Sequence, residues 1–160
     1  MSYGNVYVAR IAFGSRDQQT VRAFLEADSY PGPSMLIAYS HCIAHGYDLA
    51  YGLEQQKLAV DCGLWPLYRF DPRRLAAGQP PLSLDSDEPK ASVWDYVRTE
   101  ARFRMVEKLD PKRFKHLLEQ AQIHAKQQVA VYKQLAGLTV PVVEGSNGGV
   151  AEKAEPARRS

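Results

Sequence analysis

The chain has 160 residues, of which 45% are hydrophobic and 24% are charged, a composition typical of a soluble globular protein with one main core. Its formal net charge of +2 is too small to indicate binding to nucleic acid or to an acidic membrane surface. Two cysteines form no secreted disulfide framework, and the sequence has neither a signal peptide nor an apolar run long enough to span a membrane, so a cytoplasmic location is expected.

A strand and a helix are predicted near the N-terminus. Residues 6–9 are β-rich and predict a strand. Residues 18–27 carry apolar side chains at spacings of three and four, which predicts a helix. Ser15 or Asp17 can cap the start of this helix. The side of the helix that is expected to be buried carries Val21, Phe24 and Leu25.

The next strand ends in a turn that contains a cysteine and two histidines. Residues 35–39 form a short apolar run, which predicts a strand covered on both faces and completes a right-handed βαβ unit of a parallel sheet. Because reactive groups of α/β sheets gather beyond the carboxyl ends of strands, Cys42 is the leading candidate functional residue. Three alternatives remain open: a buried apolar thiol, a metal ligand, or a nucleophile with His41 or His45 as its base. Cys62 is predicted to belong to the core.

The middle of the chain predicts a helix, a strand and a loop. Residues 49–62 have a helical pattern that Gly63 is expected to end. Residues 64–70 predict a strand, and Pro66 indicates that it lies at a sheet edge or starts late. Residues 71–90 contain several prolines and little periodicity, which predicts an extended surface loop.

Residues 91–137 are predicted to be helical and to pack on a larger body. Asp110 is expected to cap the second helix of this stretch, with Pro111 at its first position. Residues 138–160, rich in Gly, Pro, Ala and charge, are predicted to be disordered. Two apolar stripes along these helices indicate the packing faces. The first is formed by Trp94, Val97, Ala101, Met105 and Leu109. The second is formed by Phe114, Leu117, Leu118, Ala121, Ala125, Val129, Tyr132 and Ala136.

Several groups of residues together carry a resemblance to a known enzyme family. They resemble the C-terminal end of pyruvate:ferredoxin (flavodoxin) oxidoreductase, and the resemblance extends over residues 2–135. The residues that carry it include Val6-Tyr7-Val8-Ala9, Tyr30 with Gly32-Pro33-Ser34, Ala38-Tyr39-Ser40-His41-Cys42-Ile43 with His45-Gly46, Glu54-Gln55-Gln56-Lys57, Ala59-Val60-Asp61-Cys62-Gly63 and Leu67-Tyr68-Arg69-Phe70-Asp71-Pro72.

The resemblance implies a fold, an activity and cofactors. Enzymes of this family decarboxylate pyruvate on thiamine diphosphate, pass electrons through [4Fe-4S] clusters to ferredoxin or flavodoxin, and yield acetyl-coenzyme A. The implied fold is α/β, the C-terminal part of a parallel-sheet domain that binds thiamine diphosphate, followed by a helical extension. The implied divisions are residues 1–72 in that domain, an extended loop over 73–90, the helical extension over 91–137 and the tail over 138–160.

The resemblance assigns one site residue. Cys42 matches the cysteine of the family's Ser-Pro-Cys-Ile turn, which is one ligand of the [4Fe-4S] cluster nearest the thiamine. The other three ligands, and the groups that bind thiamine diphosphate and Mg²⁺, are expected outside this chain. His41 stands where the family commonly has proline, so a more flexible turn is expected. No catalytic residue is assigned.

The resemblance also implies partners. They are the remainder of the oxidoreductase, flavodoxin or ferredoxin, pyruvate and coenzyme A, with a homodimer at full length. Residues 98–133 carry nine Lys or Arg against four acids, which is either a solvated helix face or a surface that steers an acidic partner. The isolated chain is expected to be inactive. The alternative is a separately expressed, non-catalytic remnant or interaction fragment.

Overall fold

The computed structural model describes residues 4–141, and most of the predicted tail lies outside the described residues. The fold is α/β, as predicted, and is built on one four-stranded sheet with the order β2-β1-β3-β4. Strand β2 is parallel to β1, whereas β3 and β4 are antiparallel to their neighbours, so the sheet is mixed. The strands are β1 (Tyr7–Ile11), β2 (Ser34–Ala38), β3 (Tyr68–Phe70) and β4 (Leu82–Leu84).

Six α-helices surround the sheet in the described part of the chain. Two 3₁₀ turns, Ile43–His45 and Leu49–Tyr51, connect β2 to the second helix. The helices are α1 (Asp17–Asp28), α2 (Gly52–Asp61), α3 (Arg73–Ala76), α4 (Val93–Val97), α5 (Ala101–Leu109) and α6 (Pro111–Ala136).

The predicted βαβ unit is present, because β1, α1 and β2 follow one another and the two strands are parallel in register. Strand β3 starts late, at Tyr68, and lies between β1 and β4 rather than at an edge. The prediction of an extended surface loop over residues 71–90 was wrong. This segment contains α3 and β4, and β4 was missed because three residues are too few to produce a detectable alternation.

The predicted burial of β2 and α1 was also wrong. Strand β2 is the edge strand of the described sheet, so four of its five residues are exposed. Helix α1 packs on β1 through a small residue, Ala23, together with Gln19 and Thr20. The apolar side chains expected to be buried, Val21, Phe24 and Leu25, are all more than half exposed.

The start of α1 also differs from the expectation. Its N-cap is Arg16, which makes no side-chain capping bond, and Asp17 lies one position inside the helix and accepts a hydrogen bond from the Gln18 amide. A side-chain cap by Ser15 or Asp17 is therefore absent. Asp110 caps α6 as predicted, since its carboxylate accepts from the Arg113 amide at 3.0 Å.

The core lies on both faces of the sheet and between the helices. Tyr7, Ala9 and Ile11 of β1 pack under α1, and Val8 packs on the other face with residues of β3, β4 and α6. A third cluster joins α2, α4 and α6 and contains Cys62, as predicted. The stripe that begins at Trp94 is broken between α4 and α5, so Met105 and Leu109 are exposed.

Candidate metal-ligand site

Cys42 lies four residues beyond the carboxyl end of β2, at the start of the 3₁₀ turn Ile43–His45. Its backbone is extended, its carbonyl accepts a hydrogen bond from the His45 amide at 3.0 Å, and its residue is exposed. The turn ends at Gly46, whose φ of 74° is a left-handed conformation that favours glycine. The exposed thiol agrees with the prediction that a reactive group follows this strand. The alternative of a buried apolar thiol was wrong, because Cys42 is exposed in the described structure.

A buried glutamine fixes the residue that precedes Cys42. The Gln56 side-chain oxygen accepts from the Gly14 amide at 2.9 Å, and its nitrogen lies 3.1 Å from His41 Nδ1. A Cβ atom at Gly52 would lie 2.9 Å from the same imidazole nitrogen, so α2 approaches His41 closely only because this position is glycine. The turn, which was expected to be flexible without the family's proline, is held to α2 and to the loop after β1.

A second anchor holds the end of the turn. Glu100 is fully buried, and its carboxylate accepts from Gln55 Nε2 at 2.9 Å and from Arg102 Nε. The His45 ring nitrogen Nδ1 lies 3.9 Å from a Glu100 oxygen. The amide of the next residue, Ala101, donates to the Gly46 carbonyl at 3.0 Å. The segment between α4 and α5 therefore fixes the position at which the Cys42 turn ends.

An aromatic cavity of about 350 Å³ adjoins the turn. The Tyr39 and Tyr96 hydroxyls are 2.8 Å apart, and the Tyr39 ring packs edge-on against Trp65. Burial raises the pKa of Tyr39 and the pKa of Tyr96, so both phenols are neutral at physiological pH. The cavity is lined by Tyr39, Ser40, His45, Ala59, Leu64, Trp65, Tyr96 and Arg102.

The two thiols have different environments. Cys62 is buried, and burial raises the pKa of its thiol to about 11, which disfavours the thiolate that binds metals. Among residues 4–141, no cluster of three or more His, Cys, Asp or Glu side chains is arranged to hold a metal ion. His41 and His45 contact Gln56 and Glu100, with no hydrogen bond to Cys42 in the described part, which gives the nucleophile alternative no support. Cys42 is therefore an exposed thiol of a residue type that can bind a metal, and the described residues do not supply a complete metal site around it.

Sequence reasoning missed the residues that support the turn. Gln55 and Gln56 interrupt an otherwise apolar helical face, and two buried amides on one turn of α2 indicate hydrogen-bond partners inside the protein. Glu100 gave no signal, because an acid between two short helices resembles an ordinary surface residue. Its burial depends on contacts with α2 and with the Cys42 turn, which are distant in sequence.

In the part of the chain that the structure describes, no helix is sufficiently long and apolar to cross a membrane.

No known family model matches the chain. Individual proteins do match it. The chain is 56% identical over 138 residues to pyruvate-flavodoxin oxidoreductase of Rhodospirillum rubrum, covering 86% of this chain and 12% of that protein. It is 46% identical over 140 residues to the enzyme of the same name from Trichormus variabilis, and 41% identical over 136 residues to pyruvate:ferredoxin oxidoreductase of Moorella thermoacetica, covering 88% and 85% of this chain.

These matches span about an eighth of the length of the relatives, 12% in all three. The fold is that of an α/β protein, and the chain spans only part of the length of the proteins that it matches. The chain belongs to the pyruvate:ferredoxin (flavodoxin) oxidoreductase family and corresponds to a fragment of its members.

Proposed function

We propose that the chain is part of an oxidoreductase that oxidatively decarboxylates pyruvate to acetyl-coenzyme A and transfers the electrons through [4Fe-4S] clusters to flavodoxin or ferredoxin. The names of relatives that are 41–56% identical support this activity. The observation that carries the role of this chain is the accessible Cys42 thiol, four residues beyond the end of β2.

Cys42 would supply one thiolate ligand to a cluster whose other ligands lie outside this chain. A bound cluster supplies one-electron transfer at low potential. The chain's own residues have a positioning role: Gln56 fixes His41 on one side of the ligand, and Glu100 with the Gly46–Ala101 backbone contact fixes the other side. Two fixed ends limit the movement of the thiol, which favours a constant ligand geometry.

The remaining cofactors would be bound mainly by other parts of the enzyme. Thiamine diphosphate, Mg²⁺, pyruvate and coenzyme A require residues that are not assigned in this chain, so we expect the isolated 160 residues to be inactive. The test is a chimeric enzyme in which this chain replaces the 138 matched residues of the 56%-identical relative.

The expected result is reduction of flavodoxin by the chimera, dependent on pyruvate and coenzyme A, and no reduction by the isolated chain supplied with the cofactors. The unmodified relative, assayed in parallel, controls for the quality of the preparation. An inactive chimera that folds and binds thiamine diphosphate would contradict the proposal, as would turnover by the isolated chain.

The exposed apolar face of α1 also suits a separately expressed interaction fragment, the second candidate function. The size of the native polypeptide distinguishes the two. An antibody against residues 139–160 should detect a polypeptide several times longer than 160 residues in anaerobic cell extract. A band at the size of the 160-residue chain alone would favour the interaction fragment.

A further inference from the structure

The corner where α5 meets α6 carries an excess of positive charge. Residues 104–115 contain five Lys or Arg against two acids, an excess of three charges, whereas the whole chain has a net charge of only +2. All five cations are exposed, and none forms an ion pair with another described residue. They are Arg104, Lys108, Lys112, Arg113 and Lys115.

The nearby acids leave this charge largely unbalanced. The Asp110 carboxylate caps α6 by accepting from a backbone amide. Glu107 is partly buried and forms no ion pair within residues 4–141. Asp48 and Glu54 line a cavity of about 740 Å³ that Arg104 also lines. The cations beyond this cavity, on the last turn of α5 and the first turn of α6, have no acid beside them in the cavity.

Two large apolar side chains lie among these cations. Met105 is 62% exposed and Leu109 is 83% exposed. Because residues four apart share one face of a helix, Met105 and Leu109 form a row on α5, beside the row formed by Arg104 and Lys108. Phe103, on the other side of α5, packs against the core cluster of α2, α4 and α6. The exposed side of α5 is therefore an apolar pair bordered by cations.

Helix α5 also connects this side to the candidate site. It begins at Ala101, whose amide donates to the carbonyl of Gly46, the residue that ends the Cys42 turn. Nine helical residues rise by about 13 Å. A partner bound on the exposed side of α5 would therefore lie close to the turn that carries Cys42.

We propose that an acidic protein, the electron acceptor of the proposed function, binds the α5 surface, which is formed by Arg104, Met105, Lys108, Leu109 and Lys112. The proposal rests on the proposed function. Carboxylates of the acceptor pair with the exposed cations, and an apolar contact covers Met105 and Leu109. Charges at a solvated rim speed association and permit rapid release, as a carrier that is reduced repeatedly requires.

Two other occupants fit this surface less well. Permanent interfaces between protein segments are depleted in lysine at their centre, and burial of unpaired cations is costly, so the remainder of the oxidoreductase is a poor cover. Helices that bind anionic membranes commonly insert aromatic side chains. The phenylalanine nearest this surface on α6, Phe114, is buried instead.

The test measures binding of oxidised flavodoxin to the chimeric enzyme described above, by isothermal titration calorimetry without pyruvate. The dissociation constant should rise at least about tenfold between 0.1 and 1 M NaCl, because the screening length falls from about 10 Å to about 3 Å. Flavodoxin whose carboxylates have been amidated should also bind at least about tenfold more weakly. Its retained flavin absorbance checks that it is still folded.

Matched variants of the chimera locate the binding surface. Lys108→Glu should weaken binding at least about tenfold, whereas Lys126→Glu, at an exposed position farther along α6, should change it less than about twofold. Leu109→Ser should weaken binding, whereas Leu138→Ser, at a residue that is also more than half exposed, should not. Circular dichroism checks the fold of each variant.

Four results would overturn the proposal. They are no flavodoxin binding, equal effects of Lys108→Glu and Lys126→Glu, Lys108-dependent binding to phosphatidylserine vesicles in place of flavodoxin, or protection of Lys108 from acetylation in the free chimera but not in the free chain. The last result would show that the remainder of the enzyme covers the surface.

The outcome is separable from that of the proposed function. Lys108-dependent binding of flavodoxin without pyruvate turnover would retain the docking surface and contradict the activity. Turnover in which Lys108→Glu leaves the KM for flavodoxin unchanged would retain the activity and contradict the docking surface. Pyruvate-dependent reduction of methyl viologen, a small acceptor that needs no docking surface, should be unchanged by Lys108→Glu.

Discussion

Replacing Gln56 by leucine is expected to release the turn that carries Cys42. Gln56 is 5% exposed, its oxygen accepts from the Gly14 amide, and its nitrogen contacts His41 Nδ1. Leucine leaves the Gly14 amide without an acceptor, at a cost of about 1–3 kcal/mol, and removes the imidazole hydrogen bond, worth about 0.5–1.5 kcal/mol. The free energy of unfolding should therefore fall by about 1.5–4.5 kcal/mol.

The measurement is urea unfolding followed by circular dichroism, with hydrogen exchange of the Cys42 and His45 amides as a local readout. A double-mutant cycle with His41→Leu should give a coupling energy of about 0.5–1.5 kcal/mol. Lys57→Leu, at the next and largely exposed position of α2, is the matched control and should change stability by less than about 1 kcal/mol. An effect of Gln56→Leu no larger than that of this control, or simple additivity with His41→Leu, would show that Gln56 does not anchor the turn.

Three further outcomes can be measured on the same chain. Iodoacetamide at pH 8 should modify Cys42 at least about 100-fold faster than Cys62, because the Cys62 pKa of about 11 leaves roughly 0.1% of this thiol as thiolate. Equal rates of modification, measured by mass spectrometry, would contradict the burial of Cys62. Gly63→Ala should lower Tm more than Gly78→Ala. Both glycines have a positive φ, but a Cβ at Gly63 would also lie 3.0 Å from the Pro89 side chain, whereas a Cβ at Gly78 would meet no neighbour. Burial raises the pKa of Asp71, but hydrogen bonds and charge from the adjacent guanidinium lower it overall, below 3.8. The stability that Asp71 contributes is thus complete above pH 3.8 and lost as pH falls through the lower folded pKa, and Asp71→Asn should remove this part of the acid titration.

The elements that depend on local patterns were predictable from the sequence. The βαβ unit, the end of α2 just before Gly63 and the cap of α6 at Asp110 follow from residue types within a few positions of one another. The position of Cys42 beyond β2 followed in the same way. Each of these features is set by short-range hydrogen bonding and backbone geometry.

The burial of whole faces could not be predicted in the same way. The apolar residues of α1 and β2 have the spacing of core positions, yet Phe24 and Met35 are exposed in the described structure. A periodicity identifies a face that needs a cover, but the cover itself depends on segments distant in sequence. The same limit applied to Glu100, whose burial results from contacts with α2 and the Cys42 turn.

The iron content of the chimeric enzyme carrying Cys42→Ser shows whether this thiol is a cluster ligand. If Cys42 is a ligand, the variant should lose about four iron atoms per chain and one cluster's electron paramagnetic resonance signal after reduction, with folding unchanged. Cys62→Ser, at a thiol that is buried and protonated, should retain full iron content. Unchanged iron and an unchanged spectrum in the Cys42→Ser chimera would contradict the assignment of Cys42 as a cluster ligand.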